Sequence, residues 1–138
     1  MKKKRKRIPE IIGKRWLKIT DSIFKQRVHV LLNYTPEDYA KWLTKVGAKD
    51  VSNKSFDNFS GFSSSMEKEG EPDQYIVYVK NFNWAIKCQG TLIHEIVHTI
   101  IKIFDANNIP YNLDTQEFLA QEVSNMYEEI AEKLLVKV

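Results

Sequence analysis

A single cysteine, Cys88, excludes an intrachain disulfide and suits a reducing compartment. No stretch approaches the roughly 18 consecutive apolar residues of a membrane span. The basic start also lacks the apolar core of a secretory signal, because Ile8 is followed at once by Pro9 and Glu10, and Lys14 and Arg15 interrupt again. These absences give the expectation of a soluble, cytoplasmic protein. Acid is scarce at the start: residues 1–18 hold nine Lys or Arg against the single acid Glu10, a local charge of +8. The remaining chain keeps 12 of the 21 basic and 17 of the 18 acidic residues, or −5, so the net +3 describes the tail and not the fold.

The 138 residues suit a single domain over 11–138 preceded by a basic, disordered tail over 1–10. Six consecutive cations in that tail, Lys2, Lys3, Lys4, Arg5, Lys6 and Arg7, could make weak nonspecific contact with nucleic acid or an anionic surface. Without interleaved aromatics they equally suit a solubilising segment.

Histidine is scarce too, and its placement is informative. Of three histidines, His94 and His98 stand four apart in TLIHEIVHTI with Glu95 between them. On a helix they share one face, so two imidazoles can bind one Zn²⁺ while Glu95 reaches a water on the open side of the ion. This is the HExxH arrangement of a zinc hydrolase. The uncharged neighbours Leu92, Ile93, Ile96, Val97, Thr99 and Ile100 point to a helix buried on nearly all sides.

The surrounding pattern predicts an α+β fold. A short helix is expected within 11–24, with Trp16 and Ile19 or Ile23 inward. A strand follows over 28–33, where His29, alone on a strand, reads as a structural or surface residue rather than as a ligand. A helix begins at the N-cap Thr35 with Pro36 and Asp38 in its first turn, carries Tyr39, Trp42, Leu43 and Val46 inward, and ends at Gly47. A loop is expected over 48–57. Strands over 59–66 and 75–82, joined by the acidic turn 67–73, form an antiparallel hairpin. The motif helix runs over 84–105, and a last helix over 115–136 carries the stripe Leu119, Val123, Met126 and Ile130.

A catalytic zinc usually has three protein ligands. Cys88, six residues before His94, lies nearly two turns away on the same helix and is excluded unless the chain bends there. The turn after the motif helix folds the last helix back along it, which offers Glu117, on a small polar face with Ala120, Gln121 and Ser124. Glu117 competes with its own capping-box role opposite Asp114, and Glu122, on a face with Phe118, Asn125 and Glu129 that is expected to meet solvent, is the reserve.

The runs TLIHEIVHTIIKI and NIPYNLDTQEFLAQEV resemble the zincin metallopeptidases, and a glutamate 19 residues after His98 resembles the gluzincin branch. The closer likeness, over 75–136, is to small phage and prophage-type metallopeptidases, in which an early glutamate stands in an E-aromatic-x-Ala context, here Glu117, Phe118, Leu119 and Ala120. The resemblance implies a minimal zincin-like core, a small antiparallel or mixed sheet packed on the HExxH helix and a second C-terminal helix, in the cytoplasm of a phage-infected or prophage-carrying host. It implies Zn²⁺ on His94, His98 and Glu117, with Glu95 as general base and a peptide or protein as substrate. The strand over 75–82 would be the edge where an extended peptide adds, past Tyr75, Val77 and Val79. No histidine follows His98, so Tyr111 or Tyr127 would steady the oxyanion. The competing reading is a nucleic-acid-binding or regulatory domain whose zinc site is structural.

Overall fold

The computed structural model describes residues 11, 13–51 and 60–135. Among them, five strands and three helices follow in the order β1 (Arg15–Thr20), β2 (Arg27–Leu32), α1 (Pro36–Val46), β3 (Ala48–Asp50), β4 (Gly61–Lys68), β5 (Gln74–Val79), α2 (Ile86–Ala106) and α3 (Gln116–Leu135). They form one mixed sheet in the order β1-β2-β5-β4-β3, in which only the β2–β5 pair is parallel. The architecture is α+β, as the pattern predicts. The expected basic tail over 1–10, most of the 48–57 loop and residue 136 lie outside the described residues. No helix among the described residues is long and apolar enough to cross a membrane.

The sheet has a core on each face. On one, Leu17, Ile19, Val28, Val30, Leu32, Tyr75, Val77 and Val79 meet Leu92, Ile96, Ile100 and Ile103 of α2 and Met126, Ile130 and Leu134 of α3. On the other, Leu31, Phe62, Ile76 and Tyr78 meet Tyr39 and Trp42 of α1. The ends of α1 are as its residues dictate. Thr35 and Asp38 close a capping box, and Gly47 takes the left-handed conformation, φ 70°, that stops the helix.

Three expectations are corrected. Residues 15–20 are a strand, not a helix. Trp16 and Ile19 would share a helical face, but alternation along β1 sends Leu17 and Ile19 into the α2–α3 core and Trp16 to the α1 face, and pairing with β2 selects that period. Residues 48–50, expected in a loop, form the edge strand β3 against 66–68 of β4. Its Asp50 accepts hydrogen bonds from the hydroxyls of Tyr39 and Ser64, a tertiary anchor that three mixed residues do not advertise. Finally, β5 is the central strand rather than an edge. It pairs with β2 on one side and β4 on the other, and Tyr75, Val77 and Val79 are each at most 2% exposed. No backbone of β5 is left for a substrate strand. The uninterrupted apolar run YIVYV was the available signal, since strands covered on both faces lose the polar alternation of a half-exposed strand.

His29 is structural, one of its two readings. Trp16 Nε1–H donates to its Nδ1 (3.1 Å), which leaves Nε2–H to donate to Gln74 Oε1 (2.6 Å). Burial lowers its pKa below the ordinary value, against the rise caused by its Gln74 hydrogen bond.

Candidate metal centre

Helix α2 lies along the sheet with Leu92, Ile96, Ile100, Ile103 and Phe104 inward, a spacing that uses one stripe of the cylinder. His94 and His98 fall on the opposite side and are exposed, whereas Glu95 is 7% exposed and faces β4. The helix is therefore two-faced rather than buried on nearly all sides; Ile93 and Ile101 also reach solvent. Asn107 ends it with Nδ2 on Ile103 O (2.7 Å), and the left-handed Asn108, φ 58°, follows.

The two imidazoles converge. Their Nε2 atoms lie 3.1 Å apart, with ring centroids 4.7 Å apart and the rings at 76°. Without a metal, one Nε2 must carry the proton and the other accept it. With both protons on Nδ1, two lone pairs face one point in space. Imidazole nitrogens about 2.0–2.1 Å from a tetrahedral zinc would stand about 3.3 Å from each other, so the donor pair fits that ion with little movement. Ligand atoms of His94, Glu95 and His98 all lie within 4.8 Å of one another.

Neither carboxylate proposed as third ligand belongs to this cluster. Glu117 is exposed in the first turn of α3 and has no hydrogen bond or ion pair among the described residues. Its neighbour Phe118 packs on Phe104, six residues beyond His98, with centroids 5.3 Å apart. The Asp114–Glu117 capping box does not form either, because α3 starts at Gln116 and the hydroxyl of Thr115 turns back to Pro110 O (2.7 Å). Glu122, expected to face solvent, is 4% exposed and accepts from Ser22 Oγ at 2.8 Å. Burial raises its pKa, and hydrogen bonding with Asp21 raises it further. That carboxyl is held by the β1–β2 turn and not by the histidines.

Of the tyrosines considered for the oxyanion, Tyr127 donates its hydroxyl to Gln89 Oε1 (2.8 Å), and Tyr111 is 62% exposed in the α2–α3 loop.

One contributor has no charge to draw attention to it. Gly61 opens β4 against α2, and a Cβ there would stand 2.6 Å from Tyr78 O, 3.1 Å from Thr91 Cγ2 and 3.3 Å from Glu95 Cγ. Only glycine lets strand and helix approach so closely beside Glu95. Two residues on, Ser63 shares a hydrogen bond with Thr99 (2.7 Å between hydroxyls), and Ser63 O accepts from Lys102 Nζ at 2.6 Å. We predict that Gly61→Ala costs about 1–3 kcal/mol, the range for overpacking, seen as a melting temperature several degrees lower. An unchanged melting curve would mean that β4 and α2 tolerate a wider spacing.

No protein-family model, curated protein or solved structure matches this chain.

Proposed function

We propose that this chain is a zinc-dependent peptide-bond hydrolase of the HExxH type, with His94 and His98 as metal ligands and Glu95 as general base. The observation that carries the reading is the convergence of the two histidine Nε2 atoms at 3.1 Å on the exposed side of α2, beside a buried glutamate. Both histidines are exposed, which suits an open catalytic site better than the closed four-ligand shell of a structural zinc.

Bound there, zinc would lower the pKa of a water toward about 7 and polarise the scissile carbonyl. Glu95 would take the proton of the attacking water and pass it to the leaving amine. Glu117 is the better third-ligand candidate, because its carboxylate has no competing partner among the described residues, while that of Glu122 is engaged by Ser22 and Asp21.

The test is digestion of a peptide library by the purified protein. Cleavage is expected with zinc, lost on chelation and restored by zinc. Cleavage that survives chelation, or none with zinc bound, would overturn the reading.

A further inference from the structure

The face of the sheet away from α2 carries a second concavity, and its shape follows from the register. Across that face the first row is apolar and aromatic: Trp16, Leu31, Tyr78 and Phe62. The second is mixed, with Lys18, His29, Ile76 and Ser64. The third is mostly polar, with Thr20 beside Arg27 and Gln74 beside Met66. Helix α1 has only 11 residues, about 16 Å of length, and packs on the apolar end. The polar end is left as a cavity of about 730 Å³, reaching the turns that join β1 to β2 and β4 to β5.

Its lining is unusually basic for a chain whose residues beyond 18 are net acidic. Lys18, Lys25, Arg27, Lys45 and Lys68 border it, and Glu71 and Asp73 are the acids. A smaller adjoining hollow shares Trp16 and Lys45 and adds Lys14 and Lys41 against Asp38. These two hollows hold seven cations to three acids, whereas a further hollow that shares Lys68, Glu71 and Asp73 adds Lys49 against Glu67 and Glu69, so the basic lining belongs to the side of β1, β2 and α1. Lys14 is paired with Asp38 at 3.3 Å and Lys68 with Glu71 at 3.6 Å. The other five cations have no ion pair among the described residues. Like charges gathered around a concavity repel one another, and a polyanion would relieve that repulsion.

Aromatic groups stand among these cations. Trp16 walls both hollows and Phe24 the larger one, and Lys18 Nζ lies 4.7 Å from the centre of the Trp16 ring. Cations for a phosphate backbone and rings for base stacking are what a single strand requires. A flat lipid surface could touch only the rim of such a hollow.

We propose that this groove, on the side of the sheet opposite the histidines, binds single-stranded nucleic acid through Lys18, Lys25, Arg27 and Lys45, with Trp16 as a stacking wall. The site is independent of the zinc reading and of the basic tail. The experiment is fluorescence anisotropy of the full chain with a labelled oligothymidylate of about 20 nucleotides across a salt series. Lys18→Glu with Arg27→Glu should weaken binding at least about tenfold at low salt and flatten the salt slope by about 1.4, or about 0.7 for each phosphate that is no longer neutralised. Both positions are exposed, and a melting curve checks the fold. Lys41→Glu with Lys45→Glu, on the exposed side of α1, provides an independent arm with the same expectation. The control, Lys87→Glu with Lys133→Glu, makes an equal charge change on α2 and α3 and should leave affinity within about twofold. Equal losses in groove and control variants would overturn the proposal, since charge alone would then explain binding. So would tighter binding to a duplex of the same length, or to phosphatidylserine vesicles with no binding to the oligonucleotide.

Discussion

Replacing His94 or His98 by alanine should lower zinc affinity by more than about a hundredfold, beyond the 10–100-fold that losing an outer hydrogen-bond partner of a ligand costs. The reason is geometric. The two Nε2 atoms are the only imidazole donors that converge among the described residues, and either alone leaves the ion with one nitrogen. A competition titration against a chromophoric chelator reads the effect directly. It should also appear as linkage: with free zinc about 100-fold above the dissociation constant, the parent gains about 2.7 kcal/mol of stability that the variants do not. The same titration ranks the carboxylates. Glu117→Gln should weaken binding about tenfold or more, whereas Glu122→Gln should not, because Ser22 and Asp21 engage that side chain on the other side of α3. Full zinc retention in both histidine variants would remove the metal site from consideration, and impairment by Glu122→Gln alone would reassign the third ligand.

The second large effect is on rate. Glu95→Gln should reduce peptide cleavage by about 10²–10⁴, the usual contribution of a positioned general base, because an amide cannot accept the water proton. Zinc affinity and melting temperature should stay at parental values. The near-isosteric amide keeps the Cβ–Cγ stem that packs beside Gly61. The comparison has a built-in alternative. Glu95 also lies within 4.8 Å of both histidine donors. If Glu95→Gln lost zinc and activity together, the carboxylate would be a ligand and the base would have to be sought elsewhere. An active variant would exclude Glu95 from the proton transfer altogether.

The oligonucleotide groove and the zinc site stand or fall separately, because they occupy opposite faces of the sheet. A protein with both would bring peptide hydrolysis to nucleic-acid-bound substrates. Binding experiments can address the groove in the Glu95→Gln variant, where no cleavage would complicate the readout.

Much of the local structure was already legible in the residues. Thr35, Pro36, Asp38 and Gly47 define both ends of α1 because caps and left-handed stops act within one turn. The i, i+4 spacing of His94 and His98 is enough to put both rings on one side of a helix, whatever that helix packs against. The β4–β5 hairpin follows from the strongly apolar run 75–82 and a weakly apolar, serine-rich one before it, flanking a turn with Gly70, φ 77°, and Pro72.

What only the tertiary structure decided is which side of each element meets what. Residues 15–20 could alternate as a strand or be read at helical spacing, and the ladder to β2 settles it. The run in β5 would look the same at an edge as in the centre; strand order depends on the β2–β5 pairing, between residues almost fifty positions apart. Glu122 is claimed by Ser22, one hundred positions away, so helical periodicity alone gives the wrong environment for it. Gly61 has no side chain to signal a role, yet its missing Cβ is what admits Thr91 and Glu95 against the sheet. Caps and periodicity are properties of neighbouring residues, and a single chain states them outright. Burial, strand order and the partner of a carboxylate come from contacts that exist only after the chain has closed on itself.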